Sequence, residues 1–288
     1  MNRTIALFPL ALGAFAASVA SAQMTVRRTA KAIVVSSSGR PGYRLKLDLT
    51  QGGVATQFRI PADGPDVTSD QAGWSGLFGL YVQGGTDGPP PGADAYGERT
   101  LVKGDGVLDS ARVAVRTPGR IVVDLAGHAS GWGTYGRSGE RFIDYRNRLT
   151  FEADRIVSNG EVTWVCGHDT VPNVIAPVGL FAPNLVQWPI RLIGPDGASH
   201  EIPLALDDEA PFPRGLTYPV TAEIWLRGGR CLLIRSLRVP HDWVRHPWLD
   251  YERPWLTHWR QSFAFTNNPA DRGPVGKPIR YSYEIEIP

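Results

Sequence analysis

The stretch "IDYRNRLTFE", Ile143 to Glu152, decides how the rest of the chain is read. Ile143, Tyr145, Leu149 and Phe151 are apolar, while Asp144, Arg146, Arg148 and Glu152 between them are polar. That two-residue period sends alternate side chains to opposite faces of a strand, one face toward a core and one toward water. The same rhythm recurs at Tyr43, Leu45, Leu47 and Leu49, interleaved with Arg44, Lys46 and Asp48. Helical periodicity is hard to find over any window of eleven or more residues. The chain reads as half-buried antiparallel strands.

Turn chemistry extends the pattern. Asn159-Gly160, between Ile156-Val157 and Val162–Trp164, reads as a tight hairpin because both residues tolerate positive φ. A second hairpin is expected from Ala222–Leu226 through Gly228-Gly229 to Cys231–Ile234. A third turns at Pro195-Asp196-Gly197, between Ile190–Ile193 and Glu201–Leu206. With Tyr281–Ile287 at the C-terminus the reading gives about a dozen strands, more than a minimal immunoglobulin-like unit holds. The expected fold is all-β, a large, mainly antiparallel two-sheet β-sandwich. Its loops are long and rich in Gly, Pro and Trp: Asp63–Gly76, Gly84–Gly97, Gly127–Gly139, Val171–Trp188, Asp207–Pro219 and Pro240–Trp259. No repeat of solenoid or propeller period is present.

Residues 1–22 have the form of a secretory signal peptide: Met-Asn-Arg, an apolar run from Ile5 to Val19, then Ala20-Ser21-Ala22. Pro9 and Gly13 and the shortness of the run argue against a membrane span. The expectation is a periplasmic or extracellular protein with one domain over residues 23–288 and no membrane insertion after cleavage. Basic and acidic residues nearly balance, 30 against 28, so no broad field recruits nucleic acid. Two cysteines, Cys166 and Cys231, in an exported chain are expected to pair as a disulfide.

Gly131-Trp132-Gly133-Thr134-Tyr135-Gly136 has the spacing of a dinucleotide-binding glycine fingerprint, but a strand rather than a helix follows it. What remains is a loop offering Trp132, Tyr135 and Arg137, the kind of rings on which sugars stack. The nucleophile elbow, the zinc-binding His-Glu-x-x-His and the phosphate-binding loop are all missing. Asp207-Asp208-Glu209 could hold calcium through hard oxygen ligands, with solvated loop charge as the competing reading; no other cofactor is suggested.

The densest chemistry lies in Pro240–Trp259, read as an excursion between two strands. His241, His246 and His258 titrate near neutrality, Arg245 and Arg253 offer forked donors, and Trp243, Trp248, Trp255 and Trp259 offer flat faces. These groups suit an acidic sugar. In β-elimination an arginine neutralises a uronate carboxylate while a His or Tyr removes the adjacent proton, and Arg245, His246, Tyr251 and His258 are the catalytic candidates. Trp132, Tyr135, Arg137, His241, Trp243 and Trp248 are the expected binding residues. The general look is similar to many carbohydrate-active β-sandwich proteins, without a motif that assigns one family. The leading expectation is a lyase-like protein acting on a polysaccharide. A non-catalytic carbohydrate-binding or cell-envelope domain is one alternative. The other is a glycoside hydrolase drawing a carboxylate pair from Asp242, Asp250, Glu252, Asp144, Glu140 and Glu223.

Overall fold

The computed structural model describes residues 23–68, 78, 81–85, 99–101, 106–130, 141–165, 171–181, 186–202, 221–238, 244–253, 256–264 and 276–288. Within them are eighteen strands and no helix. The first four, β1 (Met24–Arg28), β2 (Ala32–Ser37), β3 (Tyr43–Asp48) and β4 (Val54–Arg59), form one antiparallel sheet in sequence order. Next come β5 (Tyr81–Gly85), β6 (Arg99–Leu101), β7 (Gly106–Arg116), β8 (Ile121–Ser130), β9 (Arg141–Phe151) and β10 (Arg155–Trp164). They are followed by β11 (Val171–Phe181), β12 (Val186–Ile193), β13 (Ser199–Ile202), β14 (Thr221–Leu226) and β15 (Arg230–Arg238). The last three are β16 (Val244–Arg253), β17 (Leu256–Ala264) and β18 (Pro278–Glu286). A nine-stranded sheet has the order β13-β12-β14-β15-β18-β10-β9-β8-β7, and a five-stranded sheet the order β16-β17-β11-β5-β6.

Alternation builds the core as expected. On β3, Tyr43, Leu45 and Leu47 are buried while Arg44 is exposed; on β9, Ile143, Tyr145, Leu149 and Phe151 are buried while Arg146 and Arg148 are exposed. These inner rows meet in one apolar cluster joining Ile33, Val35 and Phe58 of the four-stranded sheet to Leu125, Ile156, Ile224 and Ile285 of the nine-stranded one. Each such side chain contributes about 1.5–3 kcal/mol on burial. Three side-chain hydrogen bonds also join the two sheets. Tyr43 Oη donates to the Glu152 carbonyl at 2.7 Å, Tyr145 Oη to the Gly52 carbonyl at 3.0 Å, and Ser37 Oγ to the Ala153 carbonyl at 2.9 Å. The two-sheet sandwich is therefore formed by β1–β4 against the inner face of the nine-stranded sheet, whose outer face carries the charges.

Two of the three expected turns form. Gly228 and Gly229 have positive φ, 99° and 80°, between β14 and β15, and Gly197, at φ 81°, closes the turn between β12 and β13. The third does not. Asn159-Gly160 lies in the middle of β10, extended and paired on both sides, with Gly160 opposite Asn147 of β9 and Tyr281 of β18. The glycine is there for space, because a Cβ at 160 would overlap the Tyr281 ring.

Other expected loops are strands. Val171–Trp188 contains β11 and the start of β12, and Pro240–Trp259 contains β16 and part of β17. Proline hid them: Pro172 sits at the start of β11, Pro177 at its register irregularity, and Pro247 on β16, an edge strand, which are the places a strand tolerates proline. Of the remaining expected loops, residues 86–97, 131–139 and 207–219 lie outside the described residues, as do the signal-peptide residues 1–22.

The expected disulfide is not formed, since Cys231 carries a free thiol. Cys166 lies outside the described residues, but the sheet explains the result. Cys231 begins β15 near the level where Leu233, Glu286 and Arg155 lie side by side. From Arg155, β10 runs nine positions away to Trp164, about 30 Å. Two more peptide steps of about 3.8 Å cannot return the chain to Cys231.

Candidate functional site

The expected catalytic residues occupy the β16–β17 ribbon at the edge of the five-stranded sheet. His246 pairs with Ser262, Arg245 with Phe263, Trp248 with Arg260, and His258 with Asp250. By this register His246 and His258 stand four positions apart along the ribbon, roughly 13 Å. Tyr251 falls in the irregularity between Asp250 and Arg253. Trp132, Tyr135, Arg137, His241 and Trp243 lie outside the described residues, as does the Asp207-Asp208-Glu209 calcium candidate. Among the described residues no group of three or more His, Cys, Asp or Glu is placed to hold a metal ion.

Chemistry converges instead on the outer face of the nine-stranded sheet, where register lines up side chains across strands. One rung runs Arg112, Asp124, Arg148, Asn159, Ser282, Arg238 through β7, β8, β9, β10, β18 and β15. The next runs Ala126, Arg146, Glu161, Arg280, and a third His128, Asp144, Thr163, Pro278. Opposite charges facing each other across strands stabilise the sheet by a few tenths to about 1 kcal/mol per pair.

Two of the register irregularities in this sheet bear on these rungs. A bulge at β7 leaves Asp109 as the extra residue, and its carboxylate meets His128 Nδ1 at 3.0 Å. A second at β15 makes Leu237 the extra residue, so Arg238 rather than Leu237 sits opposite Ser282. Bulges of this kind re-aim the side chains around them.

Between the rungs lies an open groove of about 390 Å³, walled by Asp124, Arg146, Arg148, Glu161, Arg238 and Arg280. A smaller hollow of about 220 Å³ shares Ala126, Arg146 and Glu161 with it and reaches Asp109 and Asp144. The carboxylates are engaged. Asp124 accepts from Arg148 Nε at 2.7 Å and from Arg148 and Arg112 Nη2 at 3.2 Å each. Glu161 accepts from Arg280 Nε at 2.8 Å, and Asp144 is held by Arg141. The hydrogen bonds from Arg148 outweigh partial burial and, with Arg112, hold the Asp124 carboxyl below its ordinary range.

Arg146 and Arg238 are exposed and have no acidic partner among the described residues. The groove wall thus carries four guanidinium groups against two carboxylates. Such a surface attracts an anion and offers it planar, forked donors.

Arg146 and Arg148 were visible in the sequence as outward positions of β9. Their convergence with Arg238 and Arg280 depends on cross-strand register and on a bulge, neither of which the sequence displays.

No family model matches the sequence, and no curated protein matches it. Among solved structures, the chain is similar to a protein from Escherichia coli described as an aldose 1-epimerase, at 10% identity and a TM-score of 0.47, over 93% of this chain and 99% of that one. It is similar to a galactose mutarotase related enzyme from Lactobacillus acidophilus at 8% identity and a TM-score of 0.45, covering 92% and 97% of the two chains. An α-galactosidase from Geobacillus stearothermophilus matches at 13% identity and a TM-score of 0.45, over 92% of this chain and 40% of that one. At these values the likenesses carry no argument about chemistry.

Proposed function

We propose that the chain is an exported carbohydrate-active protein that takes an acidic glycan into the groove on the outer face of the nine-stranded sheet. The observation that carries this is the pair of guanidinium groups, Arg146 and Arg238, that have no acidic partner among the described residues and lie beside Arg148 and Arg280. A uronate carboxylate finds forked donors there, and sugar hydroxyls find the amide of Asn159.

The preferred reaction is β-elimination. Arginine neutralises the carboxylate, which makes the carbon acid beside it easier to deprotonate. A base takes that proton, the C–O bond to the glycosidic oxygen breaks as a C=C bond forms, and the leaving oxygen gains a proton. His128, oriented by Asp109 one rung from Arg146, replaces His246 as the base. Hydrolysis is less well served, because it requires a protonated carboxylic acid and Asp124, Glu161 and Asp144 are all bound to arginines.

Polygalacturonate or alginate should bind, and incubation should create unsaturated ends absorbing in the ultraviolet. Arg146→Ala or Arg238→Ala should weaken binding about 10–100-fold, the worth of one hydrogen bond to a charged group. His128→Gln should keep binding and lower turnover about 10²–10⁴-fold. Binding without new absorbance would make this a binding domain; no binding, or binding indifferent to both arginines, would refute the reading.

A further inference from the structure

On the same outer face, at the other end of the nine-stranded sheet, lies a second hollow of about 740 Å³ whose wall includes Gln187, Arg191, Glu201, Glu223, Trp225 and Arg227. Its central feature is Trp225, 41% exposed on β14, between Gln187 of β12 and Cys231 of β15. An indole left this open on a sheet face contributes little to the fold, yet it is held firmly. Its Nε1–H donates to Glu223 Oε1 at 2.6 Å, and Glu223 Oε2 accepts from Arg191 through Nε at 3.1 Å and through Nη2. The ring is fixed at one edge before anything binds, so little rotamer freedom remains to be lost on binding.

Around this single ring the wall is polar. Arg227 is exposed and has no ionic partner among the described residues, exposed Glu201 stands opposite Arg191 across β12 and β13, and Gln187 adds an amide. One flat apolar surface bordered by separate donors and acceptors matches a pyranose ring, which has an apolar C–H face and a rim of hydroxyls. A protein partner would instead be served by a larger apolar patch.

We infer that Trp225 is a saccharide-stacking subsite, and that it holds a distal part of the same glycan chain whose charged unit lies in the arginine groove. This rests on the reading of that groove as an acidic-saccharide site. The two places share one face of one sheet. Trp225 is opposite Cys231 on β15, and Arg238 lies seven residues further along that strand, one of them the bulged Leu237, about 20 Å away. A disaccharide cannot span that distance, whereas a polymer can. Binding at the second place then becomes intramolecular, adding up to about 10²–10⁴-fold in avidity.

The test is calorimetric titration of the full chain with polygalacturonate and alginate and with their disaccharides. Wild type should bind polymer at least about 10-fold more tightly per chain end than disaccharide. Trp225→Ala should remove that margin and leave disaccharide affinity unchanged, while Trp225→Phe, which keeps a ring but loses the bond to Glu223, should retain part of it. An unchanged near-ultraviolet circular dichroism spectrum outside the Trp225 contribution verifies folding. Polymer affinity unaltered by Trp225→Ala overturns the subsite, as does equal loss for polymer and disaccharide. Loss of polymer binding in Trp225→Ala but not in an Arg146→Ala, Arg238→Ala double variant retains the stacking platform and refutes the arginine groove.

Discussion

Tyr281 and Gly160 face each other across β10 and β18 so closely that the tyrosine ring occupies the space a side chain at 160 would need. Tyr281 is buried, and its hydroxyl is driven to a higher pKa by that burial. Gly160→Ala should therefore cost about 1–3 kcal/mol through overpacking, measured by denaturant unfolding. Combining it with Tyr281→Leu should recover part of the loss, since the two positions share one space.

Asp124 provides a pH prediction. Its folded pKa is lowered, first by the Arg148 hydrogen bonds, so its contribution to stability is present above the ordinary carboxylate pKa and disappears as pH falls through that value toward the folded one. Asp124→Asn should lose about 1 kcal/mol or less at pH 7 and show a flatter decline below about pH 4, followed as unfolding free energy against pH.

Binding in the arginine groove should fall as salt rises, because exposed guanidinium groups attract anions through a field screened within about 8–10 Å at 0.1–0.15 M ionic strength. A neutral glycan should show no such slope. Titrations at several salt concentrations check this, and Arg146→Gln should reduce the slope for uronate.

Cys231 should be a sluggish thiol. Burial chiefly, and the Glu223 carboxylate next, push its pKa up to about 11, against the opposing pull of Arg191. Near pH 8 its alkylation should be on the order of 100-fold slower than that of an exposed thiol, and should accelerate on unfolding. Peptide mapping without reductant should show no Cys166–Cys231 linkage.

Strand positions were legible wherever one face is buried, because solvent and core impose a two-residue rhythm on the residues themselves, as at Tyr43–Asp48 and Ile143–Phe151. Legibility failed where another requirement dominated. Asn159-Gly160 has turn chemistry yet serves to admit the Tyr281 ring, and prolines masked β11 and β16. The rich composition of Pro240–Trp259 belongs to a ribbon along which His246 and His258 stand four register positions apart. Arg146, Asp124, Glu161 and Arg280 are individually ordinary, and only the pairing of four strands makes them neighbours. The Cys166–Cys231 expectation followed the compartment, whereas the length of β10 decides the matter.

The extra residue at Leu237 gives β15 two reading frames. Up to Ser236, even-numbered positions such as Leu232 and Ile234 belong to the core; beyond the bulge, an even-numbered position, Arg238, belongs to the groove. Were β15 to run on regularly from Ser236, Leu237 would sit opposite Ser282 and Arg238 would turn toward the apolar interior, where an unpaired charge is not tolerated. The anion-binding character of this surface is thus specified by a count of residues as much as by their chemistry. Insertions or deletions in β15 that move Arg238 off its place opposite Ser282 should abolish it even when every arginine is retained.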